Sequence, residues 1–164
     1  MISTEMLPAK GTYTLIVFLS KEVRLKVGKL GTQRFPAGYY AYTGSALGTG
    51  ASSLKQRVTR HLQKRKRKFW HIDFLLAHKN ATVTAVIAAQ TSRKAECNMN
   101  LFVKKELEAK IPVVGFGASD CKQNCESHLL YFGEEHIKSQ VAALYVDKLG
   151  SIPFVIDFAK NEQT

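Results

Sequence analysis

Residues 13–19 are almost wholly apolar: Tyr13, Leu15, Val17 and Leu19 fall on one side of an extended chain, and Thr14, Ile16 and Phe18 on the other. A strand apolar on both faces belongs in the middle of a sheet. Residues 23–27 alternate more cleanly, with Arg24 and Lys26 outward, and Gly28 and Gly31 mark a turn before a further strand over residues 39–43. These three segments are expected to form an antiparallel meander.

Residues 44–53, with three glycines and three serines, read as a loop whose last serines cap a helix over residues 54–64. On a period of about 3.6 residues Leu54, Val58 and Leu62 make its buried stripe, with Arg57 and His61 along one border. Lys55, Gln56 and Thr59 point outward. Residues 70–77 are apolar and ambiguous between a short helix and a strand, whereas the β-branched run 83–89 predicts a strand. A helix over 95–110 is stopped by Pro112, and residues 129–132 predict another strand. Ile137, Val141, Leu144, Tyr145 and Lys148 share a helical face that ends at Gly150, and residues 152–158 read as a last edge strand with Pro153 near its start.

At 164 residues and 45% hydrophobic content, one globular domain is expected. The charge narrows the partner. A formal net charge of +11, from 24 Lys plus Arg against 13 Asp plus Glu, points to a polyanion such as nucleic acid, with an anionic membrane surface as the rival. The longest apolar run near the start, residues 15–19, is far below the roughly 20 residues of a membrane span. Glu5 and Pro8 interrupt any signal-peptide core, so a cytoplasmic protein without membrane contact is expected. Three cysteines, an odd number, fit a reducing compartment.

Candidate chemistry concentrates around Tyr39-Tyr40-Ala41-Tyr42-Thr43-Gly44-Ser45-Ala46, with Arg57 and His61 on the helix that follows. Hydroxyls, cations and a glycine turn in one such unit suit a phosphodiester, where a proton must be moved and negative charge stabilised. Gly11-Thr12-Tyr13 and Tyr42-Thr43-Gly44 resemble the two signature tripeptides of the GIY-YIG nuclease superfamily, and Arg57, His61 and Glu96 follow at the expected places. Residues 38–46, Arg60-His61-Leu62, Trp70-His71-Ile72-Asp73, Glu96-Cys97, Gly115-Phe116-Gly117, Asp120-Cys121 and Ser127-His128-Leu129 are similar to its Uri-like endonuclease branch, over most of residues 11–132.

The resemblance implies phosphodiester hydrolysis with a single Mg2+ or Mn2+ ion held by Glu96. Tyr13 and Tyr42 would activate water and move protons, Arg57 would stabilise the phosphate, and His61 would position groups or relay a proton. It further implies DNA as the favoured nucleic acid, in repair or in restriction of foreign DNA, and a repair glycosylase as a conceivable partner. Physical chemistry agrees with these roles: a hard cation is satisfied by one or two carboxylates plus waters. A tyrosine of ordinary pKa near ~10 relays a proton only where positive charge favours its ionised form, as Arg57 or the metal could provide.

Gly44, Ser45, Arg60 and the run Lys64-Arg65-Lys66-Arg67-Lys68 are candidates for contact with a nucleic-acid backbone. Trp70, His71 and Tyr40 are candidates for stacking on or touching bases, though core packing is the better expectation for Trp70. Each has an ordinary alternative. Tyrosines pack in strands, charges solvate helix edges, and a glutamate favours a helix N-terminus for its dipole alone. Cys121, Cys125 and His128, spaced C-x3-C-x2-H, could bind zinc with Cys97 or another residue as the fourth ligand, against the leading alternative of buried reduced thiols.

Departures from the family pattern are also plain. Thr12 and Thr43 replace the isoleucines of the tripeptides, and the 29 positions from Tyr13 to Tyr42 leave room for a hairpin inserted through Val23 to Phe35, as in the Uri-like branch. The asparagine that many members carry after the glutamate helix has no match, since Asn124 falls in a different loop. The expected architecture is an α/β (α+β) domain, GIY-YIG-like, with a small antiparallel sheet of three or four strands flanked by helices. Residues 1–133 would form the nuclease-like domain and residues 134–164 a helix and strand extension packed on it.

Overall fold

The computed structural model describes residues 4–119 and 121–158. Asp120 and the end of the expected extension, residues 159–164, lie outside the described residues. Along the chain run β1 (Gly11–Leu19), β2 (Val23–Lys26), β3 (Thr32–Phe35), β4 (Gly38–Ala46), α1 (Leu54–Leu62), α2 (His71–Leu76), β5 (Ala81–Gln90), α3 (Glu96–Glu106), β6 (Leu129–Tyr131), α4 (Lys138–Leu149) and β7 (Phe154–Asp157). A five-stranded antiparallel sheet of order β6-β4-β1-β5-β7 forms the body, with β2 and β3 as a separate two-stranded hairpin.

β1 is central, as its two apolar faces require. Tyr13, Leu15, Val17 and Leu19 point into one core with Tyr42, Leu54, Val58, Ile72 and Phe116. Ile16 points into a second core with Ile87, Met99, Val103, Val141 and Tyr145. Thr14, on that second face, is fully buried, and its hydroxyl is satisfied by Thr43 Oγ1 and Tyr145 Oη, both at 2.8 Å. A buried hydroxyl without such partners would carry a desolvation cost of about 1–3 kcal/mol.

Two expectations are corrected. The sheet has five strands, not three or four, because both β6 and β7 join it at the edges. The meander is also absent: β4 pairs directly with β1, Tyr13 opposite Gly44 and Leu15 opposite Tyr42, while β2 pairs with β3. Alternation identifies a strand and its buried face, but it carries no information about which strand lies beside it.

The helices cover both faces. Ser53 caps α1, its Oγ accepting from Gln56 N at 3.3 Å. The ambiguous segment after Trp70 folds as the short helix α2. Asp73 helps to define its start, its Oδ2 accepting from Phe69 N and Trp70 N at 2.8 Å each. α4 ends at Gly150, whose left-handed φ of 70° is the conformation expected of a glycine C-cap.

β6 pairs with Tyr40, Ala41 and Tyr42. Just before it the ladder loosens, the Thr43 N–H donating to the His128 carbonyl at 3.3 Å. That end of β4 is where the candidate site lies. No helix of the described residues is long and apolar enough to cross a membrane.

Candidate functional site

A cleft of about 440 Å³ opens beside the C-terminal part of β4, its walls including Tyr13, Tyr42, Arg57, His61, Glu96 and Lys94. The first four of these belong to β1, β4 and α1, and Glu96 is the first residue of α3. The side chains implied for catalysis therefore meet around one space.

Glycine makes that meeting possible at both tripeptides. A Cβ at Gly11 would lie 2.0 Å from the Ala89 carbonyl oxygen of β5, so only glycine lets β1 and β5 approach so closely. A Cβ at Gly44 would lie 2.7 Å from the Tyr13 hydroxyl and 2.9 Å from its Cζ, so the Tyr13 ring occupies the space that any other residue at 44 would need.

Tyr13 is buried, and its hydroxyl lies 2.8 Å from His61 Nε2. Burial pushes its pKa well above the ordinary value and the neighbouring Tyr42 adds to this, while Arg57 acts in the opposite direction. Burial also raises Tyr42, to about 12, against the pull of Arg57 and with smaller contributions from Asp73 and Glu96. His61 is 2% exposed, and burial drives it down to about 3, helped by Lys66, so the imidazole paired with Tyr13 is neutral near pH 7. Its Nδ1 is buried without a hydrogen-bond partner among the described residues.

Arg57 and Glu96 are linked through Ser45. Arg57 Nη1 donates to the Ser45 carbonyl at 2.5 Å, and Ser45 Oγ donates to Glu96 Oε2 at 2.5 Å. One residue of β4 thereby orients both the cation and the carboxylate of the cleft. The Arg57 guanidinium also lies 4.8 Å from the centre of the Trp70 ring, and Arg60 stands at the same distance. Trp70 is partly buried and packs against the core, as expected, and it also lines the cleft, with both guanidinium groups close to its ring.

Several expected nucleic-acid contacts turn inward. Arg60 makes a bidentate pair with Asp73, both N···O distances 2.9 Å, and Nη2 also donates to the Arg67 carbonyl at 2.6 Å. Asp73 is fully buried, so this guanidinium neutralises a charge in the interior. Lys64 Nζ donates to the carbonyls of Leu76, His78 and Ala81, and Lys66 Nζ donates to those of Arg60 and His61, closing the ends of α2 and α1. Lysines satisfying the last carbonyls of helices are favoured by the helix dipole. Arg65, Arg67 and Lys68 remain exposed. Tyr40 cannot touch bases: it is fully buried, with its hydroxyl on the Pro36 carbonyl. His71 Nδ1 accepts from Gly117 N at 2.8 Å.

The cysteine and histidine candidates are gathered beside the same cleft, which Cys97, Cys121 and His128 help to line. The ligand atoms of Cys97, Cys121, Cys125 and His128 all lie within 4.8 Å of one another. Burial pushes the Cys97 thiol well above its ordinary range. Lys94, Lys122 and Gln123 also line the cleft. Nothing local in the sequence marks them, since they reach it only through the turns before α3 and between the cysteines. Asn100, the asparagine that does lie on α3, is buried and donates to the Ser127 carbonyl at 2.7 Å, so it supports the loop and is absent from the cleft lining.

Neither a curated protein nor a solved structure gives a significant match to this chain. A family model matches residues 12–150, from β1 through α4, and so spans both walls of the cleft. The chain belongs to the family described as domain of unknown function DUF123.

Proposed function

We propose that the chain is a metal-dependent endonuclease of the GIY-YIG type, Uri-like branch, hydrolysing phosphodiester bonds in nucleic acid, with DNA the favoured substrate and repair or restriction of foreign DNA the setting. The observation that carries this reading is the convergence of Tyr13, Tyr42, Arg57, His61 and Glu96 on one cleft, with Ser45 bonded to both Arg57 and Glu96.

The residues present fit a hard divalent cation. Glu96 stands on the cleft wall with its carboxylate oriented by Ser45, and Mg2+ needs only one or two carboxylates beside its waters. Bound there, Mg2+ or Mn2+ would supply Lewis-acid stabilisation of the phosphate. Arg57, fixed by the Ser45 carbonyl and by the face of Trp70, offers its remaining N–H groups to the phosphate oxygens as negative charge builds. Tyr13 is the proton-handling group held against a neutral imidazole, whose Nε2 exchanges a hydrogen bond with the phenol. Burial favours the phenol form, and the adjacent guanidinium lowers the cost of its phenolate. Tyr42 stands beside it with the same balance of burial against Arg57.

Cleavage of supercoiled, branched and damaged DNA with Mn2+ tests this reading. Wild type should cut, and Glu96→Ala should not; equal cleavage by the two would sink it. A second reading, a nucleic-acid-binding module without chemistry, is favoured by the exposed Arg65, Arg67 and Lys68 and by burial that holds both phenols above their ordinary range. Salt-sensitive DNA binding without cleavage under any divalent metal would favour it.

A further inference from the structure

Four soft or borderline ligands lie where no catalytic role has been given to them. Cys97 sits on the first turn of α3, Cys121 and Cys125 on the loop before β6, and His128 immediately before that strand. Cys97 Sγ lies 3.3 Å from Cys121 Sγ and 3.6 Å from His128 Nε2, and Cys125 Sγ approaches the Cys97 carbonyl at 3.9 Å. Zinc bonds of about 2.3 Å to sulfur and about 2.0 Å to nitrogen, set tetrahedrally, place sulfur atoms about 3.8 Å apart and sulfur and nitrogen about 3.5 Å apart. The Cys97–Cys121 and Cys97–His128 spacings match that geometry to within about half an ångström, and all four ligand atoms lie within 4.8 Å of one another.

The surroundings agree. His128 Nδ1 lies 3.2 Å from the Thr43 carbonyl, which can only accept, so Nδ1 carries the proton and the Nε2 lone pair faces Cys97. Asn124, between the two loop cysteines, has a left-handed φ of 59°, a conformation asparagine tolerates and one that turns the loop back on itself. Cys97, Cys125 and His128 are buried, which leaves little access for bulk water. Three sulfurs and an imidazole select Zn2+ over the hard cation suited to Glu96.

We propose that Cys97, Cys121, Cys125 and His128 form a closed, structural Zn2+ site, separate from the Glu96 site, which ties the start of α3 to the loop before β6 and, through His128 and Thr43, to β4. Four protein ligands leave no open position, so the ion holds structure and does not activate water. Glu96 and Cys97 are neighbours on one helical turn, so this site sets where the catalytic-cleft carboxylate stands.

The test measures zinc in the full chain, purified under reducing, zinc-containing conditions and then freed of loosely held ions by a carboxylate chelator. One Zn2+ per chain is expected, released in full by a mercurial that blocks thiols. Cys121→Ser, at the most exposed ligand, should lose most of the zinc, whereas His128→Cys, which supplies a fourth thiolate, should keep it. Reconstitution with Co2+ should give a thiolate charge-transfer band and intense tetrahedral ligand-field bands, shifted in His128→Cys toward an all-thiolate spectrum. Wild-type protein that holds no zinc and binds Co2+ only weakly and octahedrally overturns the proposal. So does a Cys97–Cys121 disulfide in the reduced preparation, or undiminished zinc in both Cys121→Ser and His128→Ala. None of these readouts involves cleavage, so the nuclease reading stands or falls separately.

Discussion

Tyr13 and Gly44 face each other across β1 and β4, and the Tyr13 hydroxyl fills the place where a Cβ at position 44 would stand, 2.7 Å away. The second tripeptide thus supplies the vacancy that the tyrosine of the first one needs. Because Tyr13 is buried and bonded to His61, it cannot swing aside freely.

Gly44→Ala should therefore be costly for a single added methyl group. Overpacking of this kind typically costs about 1–3 kcal/mol. Urea denaturation should show a loss in that range, and any cleavage activity should fall with the displaced phenol. An unchanged midpoint would mean that Tyr13 relaxes without penalty.

The buried His61 should make stability depend on pH. Its native pKa is pushed down to about 3, below an unfolded value near ~6.5, so between these limits only the unfolded chain takes up the proton. The contribution is complete above ~6.5 and is lost as pH falls, at up to about 1.4 kcal/mol per pH unit. His71, also lowered by burial, adds in the same direction. His61→Gln should flatten the difference between denaturation curves at about pH 7 and about pH 5, and a slope identical to wild type would contradict the burial argument.

Arg60 and its neighbour Arg65 should behave as opposites. Arg60→Ala leaves the Asp73 carboxylate buried without its guanidinium, a loss of about 3–5 kcal/mol by precedent for buried pairs. Arg65 is exposed, and Arg65→Ala should change stability by less than about 0.5 kcal/mol. Chemical denaturation of the two variants checks the contrast.

The basic segment should split in the same way. Replacing Arg65, Arg67 and Lys68 together by alanine should weaken DNA binding and reduce the slope of log affinity against log salt by about 0.9 for each phosphate contact removed. Lys64→Ala should mainly lower stability, by about 1–2 kcal/mol, because its ammonium serves main-chain carbonyls. Fluorescence titrations at several salt concentrations, with a melting curve for each protein, separate the two effects.

Arg57→Ala should lower the cleavage rate by about 10²–10³ while reducing DNA affinity much less, since its contacts would strengthen as charge develops. Single-turnover rates beside equilibrium binding check this. Equal losses in both would reassign Arg57 to binding alone.

Much of this arrangement was legible in residue order. The two apolar faces of residues 13–19 identify a central strand, the Ser53 cap and the Leu54 and Val58 stripe place α1, and Gly150 ends α4, because each is a local pattern with a local cause. Partnerships were less so. The inserted hairpin over 23–35 could be read from the spacing, but nothing in residues 13–19 says that β4 lies beside β1, and nothing in Lys64 says that three main-chain carbonyls wait across a turn. Within the candidate site, the tyrosines and the arginine could be named from their motifs. Ser45 as the bridge between Arg57 and Glu96 exists only once distant segments meet.

β6 is only three residues long, and its brevity shapes the whole site. Had the ladder on β4 continued past Tyr42, another strand would run where Glu96, the thiols and the open side of the cleft now stand. Ending early, β6 leaves a bay in the flank of an otherwise complete sheet. The lower limit on strand length at this edge is set by holding Tyr42 in place, and the upper limit by keeping the bay open.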